Sequence, residues 1–105
     1  VGKTMSELSP NTKSVVEKLF KSREAKEVCD MLEIDCGTES LGCEGWTPEQ
    51  MERIRFAVLK FGGETDGGLE AAIELANTDW RDLLMAAGFG EDLNAHQKWS
   101  QSIAN

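Results

Sequence analysis

Residues Ala71 to Gly90 read Ala-Ala-Ile-Glu-Leu-Ala-Asn-Thr-Asp-Trp-Arg-Asp-Leu-Leu-Met-Ala-Ala-Gly-Phe-Gly, which writes two short helices and the corner between them. Asn77-Thr78 ends the first helix. Thr78 offers a hydroxyl to cap the second, and Asp79 and Asp82 put negative charge in its first turn, where unpaired N–H groups and the helix dipole favour it. Gly88 supplies the left-handed residue that stops a helix, after which Phe89 turns back to the body. Ahead of the corner, Leu69, Ala72, Ile73 and Ala76 form an inward stripe. Beyond it, Trp80, Leu83, Leu84 and Ala87 do the same. Downstream, Asp92 to Ile103 carries Leu93, His96, Trp99 or Lys98, and Ile103 at helical spacing, which predicts a last helix.

Upstream, Thr47-Pro48-Glu49-Gln50 is a capping box with proline at the first helical position, so a helix starts there. At about 100° per residue, Ile54, Ala57, Val58 and Phe61 fall on one side of it, with Met51 at the edge. Phe56 and Leu59 fall nearly opposite. A helix that is apolar on two sides is central to a bundle, or half in a core and half in an interface. The run Gly62-Gly63-Glu64-Thr65-Asp66-Gly67-Gly68 then predicts a flexible connector, with the next helix starting near Asp66 or Gly68.

Nearer the N-terminus, Ser9-Pro10 opens a helix with Val15, Val16, Leu19 and Phe20 inward. Ser22 recaps a second, with Ala25, Val28, Cys29 and Leu32 inward as far as about Ile34. From Asp35 to Trp46 three glycines and no periodicity mark a loop long enough to need an explanation. Its Leu41 and Trp46 must fold back to order it. Val1-Gly2-Lys3-Thr4 precedes Met5 without a following apolar segment, so it reads as an appended extension rather than a secretion signal. Residues 1–8 are thus expected to be a disordered or appended N-terminus, and 9–105 a single helical domain. The fold class is all-α, a compact bundle of about five to six short helices with one irregular loop containing Cys and Gly.

The composition excludes several partners. With 11 basic against 19 acidic residues, net −8, and no basic helical face, nucleic acid is not an expected partner. A negative chain is repelled by anionic lipid, and no apolar run approaches the roughly 20 residues that span a bilayer, so no membrane partner is expected. Three cysteines, an odd number, fit free thiols in a reducing cytoplasm.

The run Glu52-Arg-Ile-Arg-Phe-Ala-Val-Leu-Lys60, with Ala72-Ile-Glu-Leu-Ala76 and Thr78-Asp-Trp-Arg-Asp-Leu-Leu84, resembles a group of small bacterial helical proteins of unassigned role. The resemblance covers the middle and last third. It implies a bacterial, cytosolic, helical protein and supplies no catalytic motif. The Gly62 to Gly68 connector is longer and looser than in such relatives. Function does not follow from it.

Candidate chemistry is sparse. Cys29, Cys36 and Cys43 stand seven residues apart and could join His96 as zinc ligands, but structural zinc sites use tight pairs two to four residues apart. Cys36 and Cys43 could pair on oxidation. No basic neighbour in sequence activates either, and Asp35, Glu39 and Glu44 oppose ionisation. His96, the only histidine, would be the sole base for a catalytic pair with a loop cysteine, and it reads as a partly exposed, solvated residue. The glycine connector has neither the Gly-Lys-Ser/Thr ending of a phosphate loop nor calcium-loop spacing. Arg55, set between Ile54 and Phe56, needs a carboxylate if it is buried, and Asp82 or Asp79 is the expected partner.

What remains is a surplus of large apolar groups, Phe56, Leu59, Trp46, Trp99 and Leu41, of the type that enriches interface centres. The plainer account is that the loop and the last helix cover the third helix. The expectation is a non-enzymatic protein-interaction module binding an unidentified protein or itself, with Phe56, Leu59, Trp46 and Trp99 as candidate contacts and no cofactor, metal or catalytic residue. The alternatives are a thiol or zinc element around Cys29, Cys36 and Cys43, and an enzyme using His96 with a loop cysteine.

Overall fold

The computed structural model describes residues 8–104, and every regular element among them is a helix. These are α1 (Pro10–Leu19), α2 (Ser22–Asp35), α3 (Pro48–Glu64), α4 (Gly68–Ala87) and α5 (Ala95–Ala104). The all-α bundle read from the sequence is what forms. The expected N-terminal extension lies outside the described residues, except for Leu8, which is a buried member of the core.

α1 begins where Ser9 accepts the Thr12 N–H at 3.1 Å. Ser9 Oγ gives its own proton to Glu52 Oε2 at 2.6 Å, so the Thr12 hydroxyl, 2.8 Å away, donates to Ser9. This chain of three buried groups ties the first turn of α1 to α3. α2 is capped one residue earlier than expected. Lys21 is the N-cap, with no side-chain cap bond because lysine has no acceptor, and Ser22 is the first helical residue.

The loop from 36 to 47 is ordered by its own turns. Cys43 N–H donates to the Thr38 carbonyl at 2.7 Å and Leu41 N–H to Gly37 at 3.1 Å. Gly42 and Gly45 hold φ of 71° and 91°, a region where a Cβ is strained. Leu41, Cys36 and Cys43 fold into the core as the loop requires.

α3 opens on the expected capping box, with Gln50 N–H donating to Thr47 Oγ1 at 3.1 Å and Thr47 N–H to Gln50 Oε1 at 2.8 Å. It then runs through Gly62 and Gly63 to Glu64, so most of the predicted flexible connector is helix. The cause is tertiary: a Cβ on Gly62 would stand 2.8 Å from Leu69 Cδ2 and 3.1 Å from Leu69 Cα. Glycine is there to let the start of α4 cross α3 closely. Lys60 Nζ donates to Glu64 at 3.1 Å and supports the last turn.

α4 contains the predicted corner as a kink, shifted by one residue. Asp79 has extended dihedrals (φ −163°, ψ 96°), and its Oδ1 accepts the Arg81 N–H at 3.0 Å. Asp79, not Thr78, caps the second segment. Thr78 Oγ1 instead donates back to the Glu74 carbonyl at 2.9 Å, finishing the first. At the far end Gly88 takes φ 83°, and the N–H groups of Gly88 and Phe89 reach the Met85 and Leu84 carbonyls at 3.1 and 2.8 Å. That is the expected stop, and Phe89 returns to the core.

α3 sits at the centre. α4 packs along it most extensively, while α1 and α5 contact it elsewhere and each other. The radius of gyration, 12.6 Å, matches the roughly 13 Å of a folded domain of this length. No helix among the described residues is long and apolar enough to cross a membrane.

Candidate recognition cleft

Two local devices build a cleft at one end of α3. The capping box at Thr47 holds Trp46 outside the helix and starts the face that carries Glu49, Gln50 and Arg53. The turn at Gly88 brings Phe89 over α3, where Arg53 Nη2 donates to its carbonyl at 2.7 Å. Asp92 Oδ1 then accepts the Asn94 N–H at 2.8 Å, and α5 starts at Ala95. Leu93 is left outside the helix, 71% exposed, facing a cavity of about 470 Å³ that Trp46 also lines.

Trp46 is 37% exposed, and its ring meets Trp80 edge-on at 5.6 Å. Arg81 lies over Trp80 at 5.3 Å, so the tryptophan pair is braced from behind by α4. His96 lies at the edge of the cavity, only 7% exposed, with its ring 6.0 Å from Phe56 and 6.4 Å from Phe89. Its Nδ1 is buried without a well-formed hydrogen bond. Burial lowers its proton affinity and Arg53 adds to that, against opposing contributions from Glu52, the Leu93 carbonyl and Asp92. The sequence places this histidine on a partly exposed face; its packing against Phe56 and Phe89 buries it.

The four predicted contact residues separate. Phe56 and Leu59 are buried, so the second face of α3 is not an open interface. Its own chain covers it: Trp99, half-buried on α5, stacks on Phe56 at 5.8 Å and on Phe89 at 6.2 Å. The apolar surplus is core, and only Trp46 of the four lines the cleft. Leu93 was expected to point inward and does the opposite; its flanking Asp92 and Asn94, both good capping residues, were the signal that could have revealed this.

Arg55 is fully buried, as expected, but its Nε donates to the Cys36 carbonyl at 3.2 Å. Asp79 and Asp82 are exposed, and the Asp79 carboxylate is used on Arg81 N–H. The C-terminus of α2 receives the Arg55 Nε. Ser40 Oγ donates to the Ile34 carbonyl at 3.1 Å and Asn77 Nδ2 to the Asp35 carbonyl at 2.8 Å, so three successive carbonyls gain side-chain donors from three parts of the chain. A helix C-terminus carries partial negative charge and unmatched acceptors, which suits a guanidinium.

The three cysteines stand apart from the cleft lining. All three are free. Burial pushes the Cys36 thiol up to about 12, against the opposing pull of Arg55 and with a small push from Asp35. Burial also raises Cys43, helped by Glu44, and Cys29, helped by Glu33 and Glu17. Among the described residues no three His, Cys, Asp or Glu side chains gather as a metal site. The cleft itself offers an aromatic wall, an apolar flank, a pinned guanidinium and an imidazole, without a serine, threonine, cysteine or lysine in its lining. No protein-family model matches this chain, and no curated protein or solved structure matches it either.

Proposed function

We propose that this chain is a non-enzymatic helical binding module, working in a bacterial cytoplasm, that receives a protein partner or a second copy of itself at the Trp46–Leu93 cleft. One observation carries the reading: after the bundle has absorbed Phe56 and Leu59, an exposed tryptophan and an exposed leucine still face one cavity, and the tryptophan is held there by a second aromatic ring. Rigid aromatic anchors beside a polar rim are the usual centre of a protein interface. Three free thiols fit a reducing compartment.

A photo-crosslinking amino acid at position 93, compared with one at Ile34, tests this in the native host. Ile34 is 72% exposed but lies outside the cleft. The expected result is a discrete adduct from position 93 that disappears in Trp46→Ala, or a dimer band that tracks sedimentation of the purified chain. Equal labelling from both positions, with a monomer at all concentrations, would refute the reading.

A further inference from the structure

A second cleft, of about 370 Å³, shares only Gln97 with the first. It lies between α1 and α5, with Glu52 of α3 in its lining. Among the described residues Glu52 is the one charged group there, and its side chain is unusual. The residue is 5% exposed, Oε2 accepts the Ser9 hydroxyl, and among the described residues no Lys, Arg or His closes an ion pair with it. Among the described residues none donates a hydrogen bond to Oε1, which is not among the sealed, unpartnered atoms and so remains open to the cleft that Glu52 lines.

A carboxylate this far from water normally has a cation beside it. The first turn of α1, through Ser9, stabilises it from one side only. The rest of the lining is neutral and rich in acceptors: the amides of Asn11, Gln97 and Gln101 and the hydroxyls of Ser14 and Ser100. Among the described residues no basic side chain in it repels a cation, and the net charge of −8 draws cations toward the molecule. Val15 adds a small apolar contact for an alkyl stem. A divalent metal fits poorly, because it would find a single carboxylate where such ions gather several.

We infer that the Glu52 cleft binds a primary alkylammonium or guanidinium group, with Glu52 Oε1 taking one N–H and the amide and hydroxyl oxygens of α1 and α5 taking others. The cation comes either from a free polyamine or from a lysine or arginine side chain of a partner. The site stands whether or not the Trp46 cleft is an interface.

Amide and side-chain NH₂ resonances of the full chain, followed during titration with butylammonium, putrescine, N-acetyl-lysine methylamide and N-acetyl-arginine methylamide, test it. Tetramethylammonium and sodium chloride serve as controls without N–H donors. The expected result is saturable shifts confined to Asn11, Ser14, Gln97 and Gln101, absent with both controls and weakened at least about tenfold in Glu52→Gln, as for a charge-assisted hydrogen bond. Tighter binding of putrescine assigns the site to polyamines, and tighter binding of either amino-acid amide assigns it to a partner's side chain. Because Glu52→Gln also touches Ser9, Gln97→Lys provides a second arm: its own ammonium should occupy the cleft, reproduce the shifts and block the probes. Shifts no different from those of the salts, probe binding unchanged in a folded Glu52→Gln, or probe binding unchanged in Gln97→Lys would each overturn the inference.

Discussion

Arg55 illustrates how a residue's chemistry can be legible while its partner is not. Its position inside the apolar run Ile54 to Leu59 forces burial, and burial demands acceptors. A carboxylate is the obvious acceptor when only residue types are visible. For its Nε the chain supplies the carbonyl of Cys36, available because α2 ends there, and a helix end is a property of the backbone that no side-chain inventory reveals. Arg55→Ala removes that donor, leaves the carbonyl buried and opens a cavity at the centre of the molecule. The expected loss is about 3 kcal/mol or more in urea unfolding; a loss below about 1 kcal/mol would show that the α2 terminus does not depend on it.

At the scale of elements, the two glycines of α3 look identical in sequence and differ in what surrounds them. Gly62 faces the backbone of Leu69, whereas a Cβ on Gly63 would meet nothing within 4 Å. Gly62→Ala should therefore destabilise by about 1–3 kcal/mol, the usual range for overpacking. Gly63→Ala, in a helix with open space around it, should stabilise by about 0.5–1 kcal/mol. Thermal unfolding of the two variants checks this, and similar effects from both would mean that the close crossing of α3 and α4 is absent in solution. The kink in α4 follows the same logic in reverse. The local signal Asn77-Thr78-Asp79 announces a corner, but three residues in a row are able to cap, and Thr78 and Asp79 are used in opposite directions from it.

At the scale of the whole molecule, α5 closes the bundle over α3, and His96 sits in that closure with Trp99. Burial makes the folded chain bind the His96 proton less readily than the unfolded chain does, with Arg53 acting in the same sense and Glu52, the Leu93 carbonyl and Asp92 opposing. The unfolded state then holds more protons, so stability rises with pH through this titration. Stability from His96 is complete above the ordinary histidine value near 6.5 and declines as pH falls below it. Unfolding midpoints measured across that range should drop on acidification, and His96→Phe should flatten the slope there; an equal slope in both proteins would remove His96 as its source. The same closure explains why Phe56 and Leu59 are core. A helix apolar on two sides has to be enclosed, and the last helix of the chain does it without a partner.

By itself the sequence determined the helical class, the starts of α1 and α3, the stop at Gly88, the burial of Arg55 and most of the inward stripes, though not at Leu19, Ile34 and Leu93, which are exposed, because capping, periodicity and desolvation act within a few residues. Tertiary structure alone decided which element covers the second face of α3, why Gly62 is helical, which carbonyl meets Arg55, that Leu93 faces out while His96 faces in, and that Glu52 stands in a neutral cleft. Each of these depends on where backbone distant in sequence arrives. Short-range rules set what an element needs, and only packing sets what it meets.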